Sequence, residues 1–596
     1  MRQGIETARD LLAVLPKPGG STPELRVRGP VLRDSLFVFL IVVGSAALYL
    51  RGLGFYSDDW AFLADMTGSR EPTIWSAFEA LYRDDMRMRP VQILALAVLF
   101  RLFKLDPLGY HAVNTALLGI GAVLCYLVCR ELGIGRHIAL AIALVFGVLP
   151  HYSTDRFWVA TIQVTLSMTL YLLSFHADLR ATRSTSTNIW GWRGLALAAM
   201  ITSVLAYEVF LPFFLLNAVL AAVQARRAVR VGQRLVPTAV RLPVLLATTA
   251  LVLLPVLLWK LQTAAPRLAS QTIGQKVASF GRLIKGAVAV SYCEYGIRLP
   301  LVVVQILRHY PSVTVSATAL AAAAIVFVYV WCVTREAGNQ GRSAAAALAL
   351  VGAGFGIFFL GYVVFFYTQN ADYSTTGISN RVAIAAALGI ALGWVGGIVA
   401  IVAPITRQRL RAAAFAGGVA AAVGVCILVV DTIGIFWVEA YRQEQHVLHE
   451  IRSAFPHLPP ETTLILDGVC PYVGPAIVFD ASWDLAGALR IMYGDDTIRA
   501  DVVKPNLRVE ETGLKVPAYG VVTEYPYRHL LLYHAGLRRH FAFDDADAAR
   551  RYFQTHNPTQ DSHCPSGREG HGVRIFGRSP VAPPRTGGGT SSWSLG

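Results

Sequence analysis

Long apolar runs alternate with short polar breaks over the first three quarters of the chain, and the pattern changes near Glu439. A membrane-spanning helix needs about 17–25 mainly apolar residues. Runs of that kind predict spans near 36–50, 110–129, 137–151, 157–176, 194–208, 209–225, 242–262, 313–334, 343–366, 382–405 and 412–437, about eleven in all. No small-residue cleavage site follows the first run, which is therefore read as a retained anchor. Val91 to Phe103 is also apolar but short, and Arg101 interrupts it. It is expected to lie at the interface on the outer face, within a long first outer loop, 51–109. Beyond Glu439, runs such as Thr463-Leu464-Ile465-Leu466 and His529-Leu530-Leu531-Leu532-Tyr533 sit between Pro, Gly and Asp turns and read as strands. The expected organisation is an amino-terminal segment, 1–33, a transmembrane domain, 34–437, a small extracytoplasmic α/β domain, 438–578, and a disordered Pro/Gly/Ser-rich tail, 579–596.

Composition supports this picture. The chain is 54% hydrophobic and 15% charged, with a mean hydropathy of +0.49, whereas soluble proteins carry about 25% charged residues. The net charge of +15 suits either nucleic-acid binding or the basic bias of cytoplasmic loops. Its location decides. From Glu439 onward there are 16 Lys and Arg against 18 Asp and Glu, leaving 37 against 20 before it. The excess thus belongs to the membrane region, and no nucleic-acid partner is expected.

The basic clusters set the topology. Arg2, Arg9, Lys17, Arg26, Arg28 and Arg33 precede the first span; Arg130 and Arg136, then Arg180, Arg183 and Arg193, then Arg226, Arg227, Arg230, Arg234 and Arg241, then Arg335 and Arg342, then Arg407, Arg409 and Arg411 separate later ones. Short basic loops face the cytoplasm, which predicts a multi-pass protein of the cytoplasmic membrane with its amino terminus inside and everything after about 438 outside. The outer stretch 263–312 is basic as well, with Arg267, Lys276, Arg282, Lys285, Arg298 and Arg308 against Glu294. It is read as a segment on the outer leaflet that attracts anionic headgroups.

Candidate chemistry gathers on the outer face, where 13 of the 20 acids before Glu439 fall. The first outer loop opens with Tyr56-Ser57-Asp58-Asp59-Trp60 and closes with Arg87-Met88-Arg89-Pro90; Asp155-Arg156, Glu208 and Arg381 follow. Two adjacent carboxylates beside a bilayer are costly to desolvate, so they are either hydrated or kept for chemistry. His111 and Asn114, three residues apart, share a helix face and suit a brace for the loop. Asp431 is an acid within a span, with no partner legible in the sequence.

The order of these motifs, together with the stretch Leu102-Phe103-Lys104-Leu105-Asp106-Pro107-Leu108-Gly109-Tyr110-His111-Ala112-Val113-Asn114, resembles the GT-C membrane glycosyltransferases over about 34–230. Within them it is most similar to the protein O-mannosyltransferase and lipid A aminoarabinose transferase branch. The resemblance implies a polyprenyl-phosphate sugar donor and an extracytoplasmic acceptor: protein, lipid or glycan. It implies that Asp58 is the catalytic carboxylate, with Asp59 and Asp155 beside it, and that Arg89 and Arg381 bind the donor phosphate. Glu208 and His111 stand as supporting residues. Asp-Asp stands where relatives commonly have Asp-Glu, which leaves open which acid does what, and Glu208 lacks the Lys that precedes it in many relatives. A carboxylate pair also has the chemistry to hold a divalent cation; no required metal or other cofactor is expected. The alternatives are a transporter or flippase of lipid-linked glycans and a non-catalytic scaffold of envelope assembly. Of seven cysteines, Cys470 and Cys564 fall in the outer domain, and a disulfide between them is expected in an oxidising compartment.

Overall fold

A computed structural model describes residues 24–69, 71–183, 188–230, 240–268, 272–337, 344–367, 373–518 and 521–556. Arg2, Arg9, Lys17, Arg234, Arg342, Asp372, Cys564 and the tail 579–596 lie outside the described residues. The chain is a polytopic helical membrane protein with a carboxy-terminal mixed α/β region. Among the described residues nine helices are long and apolar enough to cross a membrane: Pro107–Glu131, Val159–Arg183, Ile189–Ala206, Glu208–Arg226, Leu242–Thr263, Val313–Glu336, Ala344–Phe366, Ile378–Val402 and Gln408–Ala454.

Two of the eleven expected spans fall short of that measure. Glu24–Gly44 carries Arg26, Arg28, Arg33 and Asp34 in its first half, and Arg136–Val148 has only 13 residues, all but Arg136 buried. Conversely, Ile273–Ile297 and Leu299–His309, expected on the outer leaflet, form two helices bent by 69° that would together make a tenth span. Pro90–Phe103, expected at the interface, is a helix of 14 residues that buries Gln92, Ile93, Leu96, Ala97, Leu99 and Phe100.

Lipid offers no hydrophobic drive between helices, so close backbone approach through small residues holds them together. Ala344–Leu360 and Ile384–Val402 meet in this way: a Cβ on Gly389 would collide with the Gly354 carbonyl oxygen. One end of the bundle is tied by charge. Buried Asp34 accepts from Arg136 Nε (2.7 Å) and Nη2 (2.8 Å), Tyr126 Oη (2.6 Å) and Tyr329 Oη (2.7 Å), joining four helices. Arg183 pairs with Glu131 at 2.7 Å and Arg193 with buried Asp178. Arg136, Arg183 and Arg193, which the sequence assigns to one side, are thus held by acids near the same helix ends. Asp431 is buried and faces Arg156 electrostatically.

The helix Gln408–Ala454 has 47 residues, about 70 Å at 1.5 Å per residue, well beyond a hydrocarbon core of about 30 Å. It runs unbroken through residue 438 and leads into the α/β region. There a four-stranded sheet has the spatial order Arg499–Val502, Thr463–Asp467, Leu530–His534, Arg539–Ala542, the first three parallel and the last antiparallel. Cys470 is disulfide-bonded; Cys125, Cys129, Cys293, Cys332 and Cys426 are free.

The helix Ser482–Tyr493 of this region packs across Asp58–Thr67 of the first long loop. Gly487 permits the approach, because a Cβ there would sit 2.5 Å from the Trp60 carbonyl carbon and oxygen. Gly487→Val is expected to lift one helix from the other, costing about 1–3 kcal/mol as overpacking does. Limited proteolysis of the carboxy-terminal region should become faster in this variant; unchanged cleavage would mean that the two helices separate at no cost.

Candidate functional site

The first long loop, 51–109, is pinned before it reaches its carboxylates. His111 Nε2 lies 2.8 Å from the Gly54 carbonyl oxygen. Tyr56 Oη donates to the Trp437 carbonyl (2.7 Å), and Trp158 Nε1 donates to the Tyr56 carbonyl (2.9 Å). Ser57 then takes φ of 47°, a region that a residue with a Cβ visits only when its surroundings impose it, and such strain collects at functional sites. The strained residue is the one immediately before Asp58, which opens the helix Asp58–Thr67.

The two adjacent acids have different surroundings. Successive helical residues point about 100° apart. Asp59 is 2% exposed, and its Oδ2 accepts from the Tyr56 amide at 3.0 Å; burial pushes its carboxyl well up, with Asp58 adding to the effect. Asp58 stays partly exposed. Burial raises it to about 6, Arg381 opposes that rise, and Asp480 of the α/β region adds to it. The Trp483 indole and the Ser57 hydroxyl also face Asp58 and favour its charge. Asp58 is therefore largely ionised at neutral pH yet poised to take a proton. The α/β region thus supplies two side chains to this carboxylate, Asp480 and Trp483, which the sequence reading had not linked to it; nothing in their local sequence points there.

Asp155 lies on the same face. It is fully buried in the short helix Thr154–Phe157, and Asn114 Nδ2 holds its carbonyl oxygen at 2.7 Å. Burial drives its carboxyl well above the usual range against the pull of Arg381 and Arg156. Arg381 therefore faces both Asp58 and Asp155, with its guanidinium 5.2 Å above the Trp158 ring. That stacking is cation–π in character and leaves the guanidinium edges free for oxygen ligands.

The remaining candidates form a second cluster. Arg89 Nη2 lies 3.1 Å from Glu208 Oε1, and Lys260 Nζ lies 2.8 Å from Glu208 Oε2. Arg89 also sits 4.6 Å over the Tyr207 ring, in the break between the helices Ile189–Ala206 and Leu211–Arg230. Burial opposes its charge, but Glu208 and Tyr207 outweigh that and leave Arg89 firmly cationic. Lys260 was missed from the sequence because it sits in the apolar run 242–262 with no motif around it. It occupies, from another helix, the side of Glu208 where no neighbouring lysine exists in sequence. Tyr207 connects the clusters, lying within electrostatic reach of Arg89, Glu208, Arg381 and Asp155.

The site thus brings together Asp58, Asp155 and Arg381 around one accessible carboxylate, with Arg89, Glu208 and Lys260 beyond Tyr207. His111 and Asp59 sit behind it as braces of the loop. Among the described residues no group of three or more His, Cys, Asp or Glu converges as a metal site would. No protein-family model matches the sequence, and no curated protein does. Among solved structures, the crystal structure of ArnT from Cupriavidus metallidurans bound to undecaprenyl phosphate is similar at 14% identity, covering 77% of this chain and 84% of that one, with a TM-score of 0.37.

Proposed function

We propose that the protein is a membrane glycosyltransferase that moves a sugar from a polyprenyl-phosphate donor to an extracytoplasmic acceptor. The observation that carries the reading is one accessible carboxylate, Asp58, within electrostatic reach of a stacked arginine, Arg381, at the strained start of a loop helix. The order of sequence motifs shared with GT-C glycosyltransferases supports it.

In this reading Asp58 takes the proton from the acceptor nucleophile as its bond to the sugar's anomeric carbon forms. The bond from that carbon to phosphate breaks, and polyprenyl phosphate leaves with the electron pair. Arg381 and Arg89 neutralise the charge that develops on the phosphate, where donors fixed in advance contribute most. Asp155 lies within electrostatic reach of Arg381, and burial pushes its carboxyl well above the usual range, which weakens any competition with the phosphate for that cation.

The base must be ionised to act. With Asp58 raised to about 6, the rate constant under limiting donor is expected to fall about tenfold per pH unit below about pH 6 and to level off above it. A rate that stays flat down to pH 4.5 would remove Asp58 as the base. The test of the function is release of polyprenyl phosphate from a radiolabelled polyprenyl-phosphate sugar, using purified protein in liposomes with envelope extract as acceptor. A flippase would move the label across the bilayer with the sugar–phosphate bond intact, and a scaffold would leave it where it was.

A further inference from the structure

Arg381 does its proposed work only if its backbone is held still, and the residue before it is built for that purpose. Asn380 is fully buried and lies between two chain segments far apart in sequence. Its Oδ1 accepts from Ser153 Oγ (3.1 Å) and from the Thr154 amide (3.2 Å). Its Nδ2 faces three carbonyl oxygens, Thr375 at 3.0 Å, Pro150 at 3.4 Å and Ser374 at 3.5 Å. Donors surround one end of the carboxamide and acceptors the other, so only an amide, in this one orientation, satisfies both.

The strap around it is closed by neighbouring contacts. Thr154 Oγ1 donates to the Gly377 carbonyl at 2.6 Å, and the Asn380 amide returns to the same carbonyl at 3.0 Å. Gly377 stands at φ of 82°, which glycine alone adopts freely. Tyr373 Oη, next to the second segment, donates to the His151 carbonyl at 3.1 Å, and Tyr295 Oη, from the helical stretch Ala289–Ile297, holds the Thr375 carbonyl at 2.7 Å. The segment joined to Arg381 is thus the one that carries Asp155: residues 150–154 run directly into it. One carboxamide fixes the cation and one of its two carboxyl neighbours relative to each other.

We propose that Asn380 is a positioning residue that clasps the 150–154 segment to the 374–377 segment and so aims Arg381 at the phosphate of a polyprenyl-phosphate ligand. The inference rests on the phosphate-binding reading of Arg381 given above. It makes Asn380, which touches no substrate, a determinant of affinity for the leaving phosphate.

Undecaprenyl phosphate, the probe, would be titrated against the full-length protein in nanodiscs. Arg381→Ala is expected to weaken binding about 10- to 100-fold, the value of a hydrogen bond to a charged group. Asn380→Ala should weaken it by a similar factor, and Asn380→Asp, of equal size but presenting oxygen to three carbonyls, should not restore it. The double variant Asn380→Ala/Arg381→Ala should bind no more weakly than Arg381→Ala alone, because residues acting as a unit are not additive. Asn380→Ala with Arg89→Ala should instead multiply.

Wild-type affinity in Asn380→Ala, or multiplication of its effect with that of Arg381→Ala, would overturn the clasp while leaving the phosphate reading intact. Wild-type affinity in Arg381→Ala would sink the phosphate reading and the clasp with it. Thermal unfolding identifies a variant that has lost its fold. If Asn380→Ala does so, Thr154→Val, which removes only the bond to Gly377, carries the same test: a loss of about threefold that vanishes in the Arg381→Ala background.

Discussion

Replacing Asp58 by asparagine is expected to lower sugar transfer about 100- to 10,000-fold, the usual contribution of a positioned general base. Asparagine matches the shape of the carboxylate and can keep the contacts with Ser57 and Trp483, so the loop should retain its conformation while the proton acceptor is lost. Two features make this the largest effect on rate. Asp58 is the partly exposed member of the acid pair, and Asp155, the other carboxyl that faces Arg381, is fully buried. Asp59→Asn is expected to act through the fold instead, since that carboxylate accepts from the Tyr56 amide and is sealed from solvent. The check is initial rate in parallel with thermal unfolding for both variants. Equal rates for Asp58→Asn and wild type would remove Asp58 from the mechanism, and a rate loss explained wholly by unfolding would make it structural.

The second large effect is on stability. Glu208→Gln removes the one negative charge between Arg89 and Lys260, leaving two cations side by side with side chains only 14% and 9% exposed. Breaking a buried pair by deleting one partner costs about 3–5 kcal/mol, because an uncompensated charge remains. Glu208 is itself a quarter exposed, which puts the expected loss at the lower end, about 3 kcal/mol. Lys260→Met in the Glu208→Gln background should recover part of it by removing one of the two stranded charges. The measurement is unfolding of the detergent-solubilised protein, followed by fluorescence. If Glu208→Gln is as stable as wild type, solvent or lipid headgroups already screen these cations, and the cluster is not a closed ion triad.

Much of the architecture was legible in the sequence. Apolar runs of sufficient length identify helices directly, because lipid forces each segment to satisfy its own backbone hydrogen bonds. The signal is weakest where length and charge are marginal. Arg136–Val148 is short because it is packed against other helices on nearly every side and has little lipid-facing surface to match. The bent pair after Thr272 reads as amphipathic because polar side chains interrupt it, and periodicity alone does not distinguish a surface helix from a broken one. The acids and bases of the candidate site were visible as residue types on one face of the topology, but their grouping was not. Asp58, Asp155 and Arg381 come from segments separated by about a hundred and by more than two hundred residues, and no local pattern records such a meeting.

By itself, the sequence determined that the chain is a multi-pass helical protein and that an α/β region follows the membrane part. These properties depend on the local balance of apolar and charged residues against lipid and water, and that balance is written along the chain. Only the tertiary structure decided that Asp58 is open while Asp59 is sealed, that Lys260 completes the Arg89–Glu208 pair, that Asp480 and Trp483 reach the loop from the α/β region, and that Asn380 joins two distant segments behind Arg381. Each of these depends on desolvation and on distances of a few ångströms between residues remote in sequence. Such energies exist only once packing has excluded water from between them.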